Sequence, residues 1–295
     1  VIRVRGHHIA EDGSRLFEYI TRLVFYREQP VVQILHTFGN DNLAGELTGV
    51  RQLGLRLPLE TRPRDGHCVF FYNDEQGGGA YGVHRGETIL ARQPRYESCI
   101  VETGGDTEGD ALRTETARLG FYLLHSEGLG MVCDIPHMRE EYPKAWSVSA
   151  DSVLDIQLCP PLDAADYADA DATTSDRLYY YLRDGIYRFR RGVTKTHQIV
   201  LAFESASDQQ PWERAAQIYG GSGVCRAPAN WYAQSRAAGL TVPRTEGEFT
   251  EYDARVDRDF SALEERRKKL GEYGMLNYGD WWGERGYNWG NLEYD

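Results

Sequence analysis

Short apolar runs followed by a change of period predict a mostly β protein with a C-terminal α part. Up to about Phe203, the apolar runs are separated by clusters of Gly, Asp, Asn and Pro, as in antiparallel sheets. After Ser205 the apolar spacing becomes three or four residues, which is typical of helices. A length of 295 residues also suits two domains. We therefore expect a large antiparallel β-sandwich over residues 1–204 and a helical domain over residues 205–295.

Seven segments are the best candidates for strands of this sandwich. In residues 53–59, Leu alternates with Gly, Arg and Pro, which indicates a strand with one buried face. At least seven strands and no long helix in roughly 200 residues are typical of a large sandwich. The seven segments are Leu16–Tyr26, Val31–Phe38, Leu53–Leu59, Cys68–Tyr72, Leu119–His125, Val153–Leu158 and His197–Phe203.

Three helices are predicted in the C-terminal part. Asp208 can cap the first, with Gly220 beyond its end, and residues 228–239 repeat this pattern. The third has apolar residues at steps of mostly three or four between Phe249 and Leu270. Three amphipathic helices are too few to enclose a core of their own. We therefore expect the chain to stop partway through a helical domain.

Composition and charge limit the possible partners. A hydrophobic fraction of 41% and a charged fraction of 26% are those of an ordinary globular protein. The net charge of -12, with no Lys/Arg run longer than the four residues Arg266–Lys269, argues against a nucleic acid. The apolar runs are too short for a transmembrane helix, so we expect no membrane partner. The absence of CxxC spacing predicts that most of the five cysteines are buried thiols: Cys68, Cys99, Cys133, Cys159 and Cys225.

The segment Asn277–Asp295, NYGDWWGERGYNWGNLEYD, has an unusual composition. It holds three Trp, three Tyr, three Asn, four Gly and five charged residues, but no Ile, Val or Phe. It shows no clean apolar period of 2 or 3.6, as a core segment would. We interpret it as a surface that contacts a ligand, and its indole faces suit sugar rings. The alternative, in which Trp281 and Trp289 are core aromatics, stays open.

Four stretches resemble the exo-rhamnogalacturonan lyase family of polysaccharide lyases. They are GSRLFEYITRLVFYREQPVVQILHTF, EEYPKAW, GVTKTHQIVLAF and the closing segment. The closing segment is the distinctive one, since strand patterns recur in unrelated sandwiches. The resemblance implies a central β-sandwich followed by the first helices of an α/α toroid, truncated in this chain. It also implies β-elimination on a rhamnogalacturonan-like, pectin-type polymer by a secreted or periplasmic enzyme.

The chemistry of such a lyase defines the candidate residues. The enzyme removes the proton beside a uronate carboxylate, so the carboxylate must be neutralised, and a base and an acid are needed. We expect Arg285 to bind the carboxylate and Tyr278 to serve as base or acid, with Tyr287 and Tyr294 as alternatives. Amide, carboxylate and indole groups supply the remaining substrate contacts: Asn277, Asp280, Trp281, Trp282, Glu284, Asn288, Trp289 and Asn291.

The sequence TKTH adds two further catalytic candidates. Lys195 and His197 lie two residues apart on a predicted strand, so their side chains point the same way. With Arg190 and Arg191 just upstream, this is the most cationic predicted strand. We expect His197 to act as base and Lys195 to stabilise charge, in a groove shared with Arg285. The alternative is an exposed strand face with a hydrogen-bonded histidine.

Two other functions stay open. One is a glycoside hydrolase with Asp280 and Glu284 as its two carboxylates, and the other is a non-catalytic carbohydrate-binding module. The expected partner is an acidic polysaccharide or oligosaccharide. No cofactor is expected. No metal is expected either, because His7 and His8 point to opposite faces of a strand and no other His or Cys pair has ligand spacing on a common face.

Overall fold

The computed structural model describes most of the chain, with gaps. The described residues are 1–10, 12–59, 63–74, 77–83, 88–96, 98–104, 111–114, 118–125, 129–149, 153–167, 182, 185–205, 227–237, 239–240, 243–244, 249–270 and 273–275.

The largest element is an eight-stranded sheet in which every neighbouring pair is antiparallel. In β3, for example, Ile34, His36 and Phe38 are buried, whereas the residues between them are only partly so. From one edge to the other, the strands are β1 (Ile2–Ile9), β2 (Arg15–Phe25), β3 (Val31–Gly39), β16 (Thr194–Ser205), β12 (Leu129–Asp134), β11 (Arg118–His125), β6 (Pro63–Asp74) and β7 (Gly77–Val83).

A second antiparallel sheet has six strands, and a third has two. The six are, in spatial order, β10 (Ala111–Thr114), β9 (Ser98–Gly104), β8 (Thr88–Arg95), β13 (Lys144–Val148), β14 (Val153–Cys159) and β5 (Leu53–Pro58). The two-stranded sheet pairs β15 (Tyr187–Arg190) with β4 (Leu47–Val50).

One hydrophobic core lies between the two larger sheets. Phe17 and Phe38 of the first sheet belong to the same buried cluster as Ile89 and Ile156 of the second. The small sheet joins it through Phe189, whose ring meets the Phe17 ring edge-on at 5.5 Å and the Phe38 ring at 5.3 Å. The arrangement is therefore a β-sandwich with a short third sheet packed against the shared core.

The helices of the described residues follow the last strand. Helix α1 (Ala229–Ser235) ends where Arg236 adopts a left-handed conformation, with φ of 55°. Helix α2 (Thr250–Leu270) carries apolar residues at the expected spacing, but Tyr252, Val256 and Phe260 are exposed. A short 3-10 helix, Ala164–Tyr167, comes earlier, after β14, and buries Tyr167 in the core.

The predicted fold class, a sandwich followed by the opening helices of an α/α toroid, is wrong. The described part of the chain is nearly all β, with two α-helices and no toroid. Amphipathic spacing predicts a helix but does not define what the helix packs against, which is why the inference failed. The helix predicted after Asp208 lies outside the described residues. The domain boundary between residues 204 and 205 stays a prediction.

We expect Ile89→Ala to lower the free energy of unfolding by about 2 to 5 kcal/mol, because Ile89 is 0% exposed and its loss leaves a cavity between the sheets. Leu47→Ala is the matched control, since Leu47 is 53% exposed and its loss should change stability by no more than about 0.5 kcal/mol. Urea unfolding followed by circular dichroism measures both. Equal losses in the two variants would contradict the position of the core.

Candidate functional site

A cluster of ionisable side chains lies where β16 meets the loop between β12 and β13. The loop, residues 135–143, is fixed by backbone hydrogen bonds from Met138 to Ile135 and from Glu141 to His137. It presents the Glu141 carboxylate to β16. Glu141 Oε1 lies 3.1 Å from Lys195 Nζ, and Glu141 Oε2 lies 3.5 Å from His197 Nδ1. The structure therefore brings together Lys195 and His197, which the sequence singled out, with a carboxylate that it did not.

Lys144 stabilises this cluster through the backbone of the loop. It is buried at the start of β13, and its Nζ donates to the carbonyl oxygens of Glu141 at 2.6 Å and Pro143 at 3.3 Å. Burial lowers the pKa of Lys144 to about 8, although Glu141 opposes the shift. Lys195 therefore contacts the side-chain carboxylate of Glu141, and Lys144 contacts the backbone of the same loop.

The Glu141 carboxylate is ionised at any ordinary pH. Burial alone would raise its pKa, but His197, Lys144 and Lys195 favour the charged form more strongly and hold the pKa at about 2. The side chain is still 30% exposed, and that of Lys195 is 17% exposed. The cluster therefore presents a charged acceptor beside a charged donor to solvent.

His197 itself is enclosed within the core. Its ring stacks on Phe38 with centroids 5.6 Å apart, and neither ring nitrogen makes a hydrogen bond with a described residue. The 3.5 Å separation from Glu141 is an electrostatic contact rather than a good hydrogen bond. Burial lowers the pKa of His197 to about 3, and Lys144 pushes it the same way. His197 is therefore neutral and cannot touch a ligand in this conformation.

A second buried histidine lies directly across the strand pair. His36 of β3 is the register partner of His197, and its Nδ1 is 2.8 Å from Thr21 Oγ1. Burial lowers the pKa of His36 to about 4. The His8 ring lies next to it, 5.7 Å from the His36 ring. The inner face of the first sheet thus holds His197, His36 and His8, and burial lowers the pKa of each imidazole.

The loop also carries an aromatic stack on its other side. Arg139 lies 4.0 Å over the Tyr96 ring and donates from Nε to the Tyr96 carbonyl oxygen. Tyr96 stacks in parallel on Tyr273, with centroids 4.2 Å apart. The Gly274 amide donates to the Glu140 carbonyl oxygen at 2.7 Å. Residues 273–275 therefore pack directly against the loop that holds Glu141.

Most of the predicted site lies outside the described residues. This applies to the predicted carboxylate ligand Arg285, to Tyr278 and its alternatives, and to every predicted substrate contact: Asn277, Asp280, Trp281, Trp282, Glu284, Asn288, Trp289 and Asn291. The predicted groove between these residues and His197 stays a prediction. Glu141 was missed because nothing in the doublet Glu140–Glu141 indicates which carboxylate meets a strand so distant in the sequence.

The two adjacent histidines of β1 have different neighbours. The His7 ring contacts Asp41 and Arg15 at the surface, whereas the His8 ring lies 4.9 Å from the Tyr19 ring. Among the described residues, no group of three or more His, Cys, Asp or Glu could hold a metal ion. No helix in the same residues has the length and hydrophobicity needed to span a bilayer.

Comparison with known proteins finds structural likeness without sequence likeness. No protein-family model matches the chain, and no curated protein matches it. A protein of Klebsiella pneumoniae subsp. pneumoniae MGH 78578, described as a "putative aldose 1-epimerase", is similar over 75% of this chain and 56% of its own, with 7% identity and a TM-score of 0.39.

Two further solved structures are similar. The Slr1438 protein of Synechocystis sp. PCC 6803 matches 69% of this chain and 60% of its own, with 10% identity and a TM-score of 0.36. A second "putative aldose 1-epimerase", from Escherichia coli K12, matches 69% of this chain and 65% of its own, with 12% identity and a TM-score of 0.31. The chain thus spans less than two thirds of each of these proteins. At such TM-scores the likenesses assign no activity to it.

These findings correct the expectations drawn from the closing segment. The resemblance to exo-rhamnogalacturonan lyases is wrong: neither a family model nor a curated protein supports it, and two of the similar structures are described as epimerases. The predicted β-elimination, the assignment as a polysaccharide lyase and the pectin-type substrate are wrong with it. The hydrolase and the binding module built on the closing segment fit these findings no better. The acidity expected of the polysaccharide partner has no support either.

We expect the stability of the protein to fall as the pH drops below about 6.5. The folded-state pKa values of His36 and His197 are depressed to about 4 and about 3, so the folded state binds fewer protons than the unfolded state in this range. The stability is fully present above pH 6.5 and is lost as the pH falls towards those values. Between pH 7.5 and 5.0 each histidine should cost about 2 kcal/mol of unfolding free energy.

Urea unfolding of the parent, His36→Gln and His197→Gln at the two pH values measures this loss. Each substitution should reduce the loss by about 2 kcal/mol. The exposed His137 supplies a control, since His137→Gln should leave the loss unchanged. An unaltered pH dependence in both buried variants would show that neither imidazole is held neutral by the fold.

Proposed function

We propose that the protein binds a sugar through Glu141 and Lys195. The observation that carries this proposal is the separation of 3.1 Å between Glu141 Oε1 and Lys195 Nζ at a partly exposed position. A sugar hydroxyl can donate to the carboxylate while its neighbour accepts from the ammonium group. Hydrogen bonds to charged partners are worth about 1.5 to 3 kcal/mol each. An adjacent pair of hydroxyls therefore matches this pair of side chains.

The pair is held in place before any ligand arrives. Lys144 fixes the Glu141 backbone, and the Met275 amide donates to the Tyr142 carbonyl oxygen at 2.7 Å. A ligand that meets a preorganised site loses less free energy to ordering side chains and loops. The half-buried Tyr273 lies beside the same loop, and aromatic rings suit the C–H faces of sugars.

The electrostatics favour binding over proton transfer. A general base works best when its pKa lies near the working pH, whereas the pKa of Glu141 is about 2. His197 is neutral but buried, so it cannot reach a substrate. Among the described residues, the site offers strong hydrogen-bonding groups rather than a group ready to exchange a proton. The descriptions of two similar structures name an aldose, the same class of ligand, but at TM-scores of 0.39 and 0.31 they add no weight.

We expect Glu141→Gln to weaken binding of a neutral sugar at least about tenfold, because a neutral amide replaces the charged acceptor beside Lys195. Lys195→Gln should weaken it comparably. Isothermal titration calorimetry against a panel of neutral monosaccharides and oligosaccharides, with glucuronate added to test for acidity, measures the effect.

Glu140→Gln is the matched control. Glu140 is the sequence neighbour, 44% exposed at its side chain, and its carboxylate lies 3.9 Å from His137 rather than next to Lys195. It should bind as the parent does, and circular dichroism must show all three variants folded. The proposal fails if the parent binds no member of the panel, or if Glu141→Gln and Lys195→Gln both bind within about twofold of the parent.

A further inference from the structure

The outer face of the eight-stranded sheet carries two arginines directly opposite each other. Arg3 of β1 is the register partner of Arg22 of β2, so the two side chains leave the same face of the sheet. In an antiparallel pair the Cβ atoms of such partners are about 5 Å apart, and like charges there are destabilising. Neither Arg3 nor Arg22 forms an ion pair with a carboxylate of the described residues.

Two acidic residues beside these strands, Glu18 on the same face of β2 and Asp41 after the end of β3, already have partners. Glu18 forms an ion pair with Arg5, and Asp41 contacts His7. On the same face, Arg22 lies opposite Leu35, and Arg5 lies opposite Ile20. Apolar neighbours cannot offset the charge of two guanidinium groups. The pair is therefore uncompensated within the described part of a protein whose net charge is -12.

We propose that Arg3 and Arg22 form a binding site for a tetrahedral oxyanion, the phosphate or sulfate group of a ligand. Each guanidinium presents a planar fork of N–H donors that matches two oxygens. A tetrahedral anion offers a different pair of oxygens to each fork, whereas both forks would have to share the same two oxygens of a carboxylate. Such an anion also removes the repulsion between the two arginines.

This site is separate from the sugar site at Glu141. Successive side chains of a strand point to opposite faces of a sheet. The residues that follow Arg3 and precede Arg22, namely Val4 and Thr21, are in register with His36 on the inner face. Arg3 is exposed and Arg22 is half-buried, so the oxyanion approaches from the side away from the core.

Thermal unfolding in sodium sulfate, sodium phosphate or sodium chloride at equal ionic strength and pH 7.5 tests the proposal. Sulfate and phosphate should raise the Tm of the parent by about 3 °C more than chloride does, by linkage to binding. In Arg3→Gln and Arg22→Gln this difference should shrink to the part that salting-out produces in any variant. Arg56→Gln, the matched control, removes the same charge from an exposed arginine on the second sheet and should keep it.

The control also separates specific binding from salting-out, which acts on every variant alike. If all four proteins gain equally from sulfate and phosphate, the proposal is overturned. Titrations of the parent with glucose 6-phosphate, glucose 6-sulfate and the inorganic ions identify the source of the oxyanion. Whichever of these binds, loss of its binding in Arg22→Gln supports the site. If glucuronate binds more tightly than glucose 6-phosphate and glucose 6-sulfate do, the site does not prefer a tetrahedral anion and the proposal is overturned. Glu141→Gln should retain the anion response, so the two sites fail independently.

Discussion

The contacts of Glu141 tie the two larger sheets together at one end of the core. Its carboxylate meets Lys195 of the eight-stranded sheet, and its carbonyl oxygen accepts from Lys144 of the six-stranded sheet. The Glu141–Lys195 pair is partly exposed, so it adds little net stability. Removing the Glu141 carboxylate is nevertheless costly, because the buried Lys144 then loses a charge that stabilises its ammonium form. The cluster therefore acts mainly to fix one position of the loop, which is the property that a binding site requires.

The fixed loop gives the last described residues a place to pack. Tyr142 donates from its hydroxyl to the Tyr273 carbonyl oxygen, and backbone hydrogen bonds join Gly274 and Met275 to the loop. The Met275 side chain is buried in the same cluster as the sheet residues. A segment far from β13 in sequence thus completes the core beside Glu141. A change in the charge of Glu141 should also alter the packing of residues 273–275, because both depend on the same loop conformation.

Strong local patterns were predictable from the sequence, and long-range pairings were not. Alternating or apolar runs identified β2, β3 and β5, because one buried face determines those residues. The strand β13 was missed: its first residue is Lys144, and its burial depends on how the preceding loop turns the carbonyl groups of Glu141 and Pro143 toward it. The spacing in TKTH was enough to identify Lys195 and His197 as neighbours on one strand face. Their partner Glu141 was missed, because its contact with them depends on how two distant parts of the chain pack. The toroid was a wrong inference because the closing segment suggested a family that no comparison supports.

The register of β1, β2 and β3 couples the two faces of the first sheet. The pairing of β1 with β2 that sets Val4 opposite Thr21, next to His36 on the inner face, also sets Arg3 opposite Arg22 outside. A shift of one residue would separate the arginines, but it would turn every side chain of the moved strand to the other face. If β2 moved, Arg22 would turn to the face that packs against the core, at a cost far above that of one exposed like-charge pair. The core therefore holds the arginines together against their repulsion, and an anion from solution can relieve that repulsion.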